Sequence, residues 1–326
     1  MYLKFYGLKK RPFELTPKVN NLFLGESHKE GLAVLKYGVM SDKGFLLLTG
    51  GVGTGKTTLI NCLATSLGMT EDLCLISNPN LEIAEFYHFF ANKIGLSFEG
   101  NKSKFFLAFE DLLKRNQKSG KKILLIIDEA HVLEVSMLEE IRLLTNISAG
   151  YPGGMSVFLV GQPELIERLE DDRLRPLRQR ISLRFHLDAL SREDTLQYIL
   201  FRLNLAEAQQ TGLFTDQAID EIHRVSNGNP RVINIICDSA LLDGYGKNSL
   251  QIDKKTVREC TARQQLPGEM GDSAGQRNKS FVENGLFWLL LILLCVESAG
   301  VWFAYQSGLL DGFWNFVKSY YFNMMS

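Results

Sequence analysis

The run Gly50-Gly51-Val52-Gly53-Thr54-Gly55-Lys56-Thr57 has the spacing G-x-x-x-x-G-K-[ST]. The chemistry it allows is polyphosphate binding. Glycines let the backbone fold around an anion with its N–H groups pointing inward, and the N-terminus of a following helix adds partial positive charge. In such a loop Lys56 bridges the β- and γ-phosphates of a nucleoside triphosphate and the Thr57 hydroxyl ligates Mg²⁺, with Thr58 beside them as a further nucleotide contact.

A second group of residues, Asp128-Glu129-Ala130-His131, ends an apolar run that begins at Ile123. A carboxylate at the end of a buried strand beside a phosphate loop holds Mg²⁺ through water, which is the role expected of Asp128. Glu129 comes next and is expected to orient and polarise an attacking water. His131 can contact the γ-phosphate or a neighbouring subunit, but a structural polar contact is the preferred reading.

These side chains need strands to carry them. Short apolar runs at 44–49, 73–77, 122–128, 156–160 and 181–187 read as strands, and the intervening segments read as helices at 56–67, 82–94, 102–117, 135–145 and 163–169. An amphipathic segment at 26–39 precedes them. Strands alternating with helices indicate an α/β fold with a mainly parallel sheet covered on both faces. After Leu190 the pattern is helical only. Ser191 with Asp194 marks a start for a helix over 195–210, Thr215 or Asp216 starts the next, Gly228 closes it, Pro230 suits the first turn of a third, and Asp253 can cap a fourth through Ala262.

Composition sets limits on the rest. The chain has 326 residues, 36 Lys+Arg against 37 Asp+Glu, and 45% apolar side chains. That excludes a disordered chain, a collagen-like one and a disulfide scaffold, and the balanced charge argues against a generic nucleic-acid binder. The 5 cysteines show no C-x-x-C spacing and read as thiols of a reducing compartment. Residues 1–10 show no secretory signal, so the front of the chain is expected in the cytoplasm. Residues 264–284 are polar and glycine-rich, as a linker is, and 286–305 is an apolar stretch with Glu297 as its one formally charged side chain. Its length suits a single transmembrane helix, with Trp288, Trp302 and Tyr305 towards its ends as interfacial aromatics.

Taken together, the phosphate loop, Asp128-Glu129, the strand ending in Gly161-Gln162, the run Leu177-Arg178-Gln179-Arg180-Ile181 and Gly228-Asn229-Pro230-Arg231 resemble an AAA+ ATPase. The N-terminal FYGLKKRPFELTP, GESHKEGLAVLKYG, GQPEL and LRQRI elements are similar to the general secretion pathway protein A family and its relatives from pilus-assembly and exosortase-linked gene clusters. The resemblance implies ATP and Mg²⁺ as cofactors. It assigns Gly50, Gly51, Val52, Gly53, Thr54, Gly55, Lys56, Thr57 and Thr58 to the nucleotide, Thr57 and Asp128 to the metal, and Glu129 to water activation. It further implies that Gln162 senses the γ-phosphate, that Arg231 is a second sensor on the helical lid, and that Arg180, with Arg178 as second choice, is an arginine finger supplied to a neighbouring subunit. Phe13 is expected near the adenine or in ordinary core packing.

A P-loop core over 1–190, a small all-helical lid over 191–262, a polar linker over 263–285, a membrane helix over 286–305 and a short aromatic tail over 306–326 follow from this reading. The resemblance also implies a homo-oligomer at the cytoplasmic membrane, with its ATPase in the cytoplasm and an envelope secretion, pilus or polysaccharide-export complex as partner. Long relatives continue into a periplasmic peptidoglycan-binding domain. Residues 306–326 are too few and too aromatic for one, so direct cell-wall binding by this chain is not expected. Two other readings are a DNA-associated regulatory ATPase resembling transposition ATPases and a nucleotide-gated tether with negligible turnover.

Overall fold

The computed structural model describes residues 2–15, 22–41, 43–68, 73–77, 79–151, 153–209 and 212–263. The apolar segment at 286–305 lies outside the described residues, as do Cys295, the linker and the tail. No helix among the described residues is long and apolar enough to cross a membrane.

In chain order the elements are α1 Tyr2–Phe5, α2 Glu26–Met40, β1 Phe45–Gly50, α3 Lys56–Leu67, β2 Leu73–Ile76, α4 Ile83–Lys93, α5 Lys102–Ser119, β3 Ile123–Ile127, α6 Val135–Ser148, β4 Met155–Gly161, α7 Glu164–Leu169, α8 Arg175–Arg178 and β5 Ile181–Leu187. Four helices follow: α9 Arg192–Leu205, α10 Asp216–Ser226, α11 Pro230–Gly246 and α12 Lys254–Ala262. The strands form one parallel sheet in the order β2-β3-β4-β1-β5.

Side chains alternate across a strand, and here both faces are apolar. Phe45, Leu47, Leu125, Ile127, Val157 and Leu159 pack with α4, α5 and α6 through Phe86, Phe109, Leu138 and Ile141. Leu46, Leu48, Leu124, Ile126, Phe158 and Val160 pack on the other face with α2 and α3 through Leu35, Leu59, Ile60 and Leu63. Double coverage explains why β1 and β3 read as unbroken apolar runs in the sequence. It also leaves polar groups few places to emerge. They emerge at the carboxyl ends of β1, β3 and β4, where the phosphate loop, Asp128 and Gln162 begin.

The helical part is organised by its caps. The side chains of Ser191, Thr215, Asn229 and Asp253 accept from the first free N–H groups of α9, α10, α11 and α12. Because Ser191 is itself the cap, α9 starts at Arg192, three residues before the expected start, and it ends at Leu205 rather than near 210. Next to α9, Gly228 shows why a glycine ends α10. Its φ is 71°, and a Cβ there would lie 1.9 Å from the Leu190 carbonyl oxygen. The chain instead closes tightly, with Leu190 N donating to Gly228 O at 2.9 Å, where the sheet leads into the lid. The first residues of the chain brace α11 and the turn that follows it: the Tyr2 hydroxyl donates to Asp238, and the Tyr6 hydroxyl donates to Ser249 O at 3.0 Å.

Among the described residues the cysteines are free thiols, and burial pushes Cys74 up to about 12 and Cys260 to about 11.

Candidate functional site

The loop between β1 and α3 is wrapped on itself. Lys56, at the first position of α3, is 6% exposed, and its ammonium donates to Gly50 O and Gly51 O, each at 2.9 Å. Burial lowers its pKa, while Glu129, Asp128 and Glu164 act the other way. The Thr54 hydroxyl donates to Gly51 O at 2.9 Å. Gly55 adopts φ 105°, a value only glycine takes without strain, and a Cβ there would come 2.7 Å from His28 Nε2. His28, on the buried face of α2, contacts Thr54 O through Nε2 at 2.9 Å. Burial lowers its pKa, so the neutral ring donates to the carbonyl and buttresses the loop from behind.

Asp128 is held at the end of β3 by its own N–H, which donates to Ile76 O at 2.9 Å. Its side chain is 3% exposed and fully used: Oδ2 accepts from Thr57 Oγ1 at 2.6 Å and Oδ1 from Glu129 N at 2.9 Å. A hydroxyl and a carboxylate paired this closely are two hard oxygen donors beside a phosphate loop, and that donor set fits Mg²⁺. Glu129 follows at φ 55°, a left-handed conformation that is uncommon for a non-glycine residue. That turn carries its half-exposed side chain to the wall of a cavity of about 470 Å³, which Lys56, Thr57, Thr58, Gln162 and Arg231 also line.

The lid reaches this cavity through the start of α11. Asn229 Nδ2 donates to Val52 O at 2.6 Å, while Asn229 Oδ1 accepts from Arg231 N at 3.0 Å. One side chain therefore caps the lid helix and grips the phosphate loop. Arg231 is exposed, and among the described residues no hydrogen bond or ion pair engages its guanidinium. Gln162 and His131 are in contact, with Gln162 Nε2 2.9 Å from His131 Nε2.

Two arginines lie away from the cavity. Arg178 is tied within its own chain to Leu169 O and Glu170, while Arg180 is exposed and unengaged among the described residues. Phe13 is 3% exposed and meets Phe214 edge-on at 6.1 Å, so it packs in the lid core rather than on the cavity wall. Leu15, Leu22 and Phe23 take the wall position instead. Arg202 fixes the N-terminal segment that leads there, donating to Pro12 O and Glu14 O, each at 2.6 Å.

His28, Arg202 and the contact of Asn229 with the phosphate loop have no direct expectation in the sequence. His28 had one available signal, a polar residue on the inward face of an amphipathic helix next to a phosphate loop. Asn229 had a helix-cap signal that says nothing of its second partner.

An AAA domain matches over residues 39–169. General secretion pathway protein A of Aeromonas hydrophila is 40% identical over 255 residues, 77% of this chain and 46% of that protein. This chain carries an AAA domain. The chain spans less than half the length of that relative. Among solved structures, Cdc6p from Pyrobaculum aerophilum aligns with TM-score 0.58 at 15% identity, covering 77% of this chain and 70% of the other. A Drosophila ORC chain from a structure bound to DNA aligns with TM-score 0.57 at 17% identity, covering 84% and 67%. These two likenesses establish the fold of the chain: a parallel-sheet core followed by helices.

Proposed function

We propose that the ATPase is a membrane-tethered assembly motor that takes ATP with Mg²⁺, works as a homo-oligomer, and serves an envelope secretion, pilus or polysaccharide-export complex. The observation that carries the nucleotide reading is the pairing of Thr57 Oγ1 with Asp128 Oδ2 at 2.6 Å beneath the glycine loop, with Glu129 turned onto the same cavity.

The residues divide the task. Backbone N–H groups from Gly51 to Lys56 and the start of α3 bind phosphate oxygens. Lys56 leaves the Gly50 and Gly51 carbonyls to place its charge on the β- and γ-phosphates. Thr57 and Asp128 would hold Mg²⁺, which would supply neutralisation of the charge on those phosphates. Glu129 orients a water molecule and takes its proton. Gln162 and Arg231 contact the γ-phosphate from β4 and from the lid, and Arg180 of one subunit completes the site of the next.

The secretion reading rests on the extended similarity to the Aeromonas protein, and the tether on the sequence of 286–305. Phosphate release by the full chain with ATP and Mg²⁺ tests the core of the proposal. Wild type is expected to turn over, and Glu129→Gln to fall by about a hundredfold with ATP still bound. Equal release from both proteins removes Glu129 from its role. Membrane fractionation tests the tether. A soluble full chain that binds DNA in a salt-sensitive way would support the DNA-associated reading instead.

A further inference from the structure

His131 sits between Glu129 and Gln162 and touches both. Its side chain is 15% exposed, with Nδ1 3.4 Å from Glu129 Oε2. Its Nε2 is 2.9 Å from the Gln162 side-chain nitrogen, and its Nδ1 is also 3.4 Å from the Gln162 backbone nitrogen. These three contacts cannot all be hydrogen bonds at once, because a neutral imidazole carries a single N–H. With the proton on Nδ1, His131 turns a positive N–H towards the Glu129 carboxylate 3.4 Å away and accepts from the Gln162 NH₂ at Nε2. The Gln162 backbone N–H then has no acceptor on this ring. With the proton on Nε2 and the Gln162 amide turned over, His131 donates to the amide oxygen, Nδ1 accepts from the backbone N–H, and Glu129 is released. Each arrangement is consistent within itself, and they exclude each other.

We propose that His131 is a positioning residue whose two tautomers couple Gln162 to Glu129: one restrains the carboxylate, and the other frees it while leaving the Gln162 NH₂ to donate to an anion in the cavity. The exchange is balanced. One proton leaves Nδ1 for water, one arrives at Nε2 from water, and the ring stays neutral. A γ-phosphate oxygen, as an acceptor, favours the turned amide. Glu129 is therefore held while the cavity contains no γ-phosphate and is released when it does. This inference rests on the reading of the cavity as an ATP site and adds how that site is kept idle.

The test follows the imidazole nitrogen resonances of His131 in the full chain with Mg²⁺ and either ADP or a non-hydrolysable ATP analogue. The missing signal of His131→Gln assigns them. The Nδ1–H form is expected with ADP and the Nε2–H form with the analogue; one tautomer in both states overturns the proposal. Failure of the analogue to bind would instead overturn the ATP-site reading. As a second measurement, His131→Ala is expected to lower kcat about tenfold with KM unchanged, since Gln162 and Glu129 lose their common guide while Lys56 and Thr57 keep the nucleotide. An unchanged kcat in a folded variant also overturns it.

Discussion

The inner and outer halves of the nucleotide site are prepared in opposite ways. On the sheet side, Lys56, Thr57 and Asp128 are already bonded to the chain itself: the ammonium to two carbonyls, the hydroxyl to the carboxylate, the carboxylate to a backbone N–H. On the outer side, Arg231 is exposed, as is Arg180, which lies away from the cavity and is proposed to serve a neighbouring subunit, and no hydrogen bond or ion pair engages either among the described residues. Buried polar groups must be satisfied at all times, because an unpaired one costs about 1–3 kcal/mol, whereas exposed guanidinium groups are satisfied by water. On the proposed ATP reading, the inner half exchanges partners when nucleotide arrives, and the outer half acquires them.

This contrast can be broken most sharply at Arg180. Under conditions that favour assembly, Arg180→Ala is expected to lower turnover by about a thousandfold while leaving ATP binding to the isolated chain unchanged. Arg178→Ala, which removes only a bond to Glu170 and Leu169, should leave turnover within about twofold of wild type. The reverse result would exchange the two assignments. On the inner side, Lys56→Met is expected to weaken ATP binding by about a hundredfold in an equilibrium titration, with the fold retained. Asn229→Ala probes the seam between the halves. It removes both the α11 cap and the bond to Val52 O, and should raise the ATP dissociation constant by about tenfold and lower stability by about 1 kcal/mol.

Glu221 is a control remote from the nucleotide. It is 2% exposed, and its carboxylate is held down to about 2 by hydrogen bonds first from Arg224 and then Arg258, against the opposing effect of burial. A depressed folded-state pKa gives stability that is complete above the unfolded value near 4.5 and is lost as pH falls towards 2. Glu221→Gln should cost about 2 kcal/mol in neutral denaturant unfolding and remove this contribution to the acid transition. An unchanged midpoint at pH 7 would show the cluster to be energetically idle.

Local signals carried much of this into the sequence. The runs that became β1 and β3 were legible because both faces of the sheet are covered, and Gly50 to Thr57 because phosphate chemistry constrains consecutive residues. Pro230 and the caps Ser191 and Asp253 marked helix starts for the same reason. What stayed hidden depends on pairs far apart in the chain. His28 meets Thr54 across 26 residues, Gln162 meets His131 across 31, and Asn229 meets Val52 across 177. No periodicity reports such pairs. Phe13 stayed open between the adenine and core packing for the same reason, since the partner that decides for the core, Phe214, lies in the lid.

The tight closure of Leu190 against Gly228 has a mechanical meaning. It lies two residues before α11, which runs from Pro230 to Gly246 and is about 25 Å long at 1.5 Å per residue. If the helical part turns about this point as a stiff lever, a rotation of about 10° shifts Arg231 by less than about 1 Å and the far end of α11 by about 4 Å. Under such a turn the far end of α11 moves several times as far as its start, so the length of the helix alone sets the ratio of the two displacements.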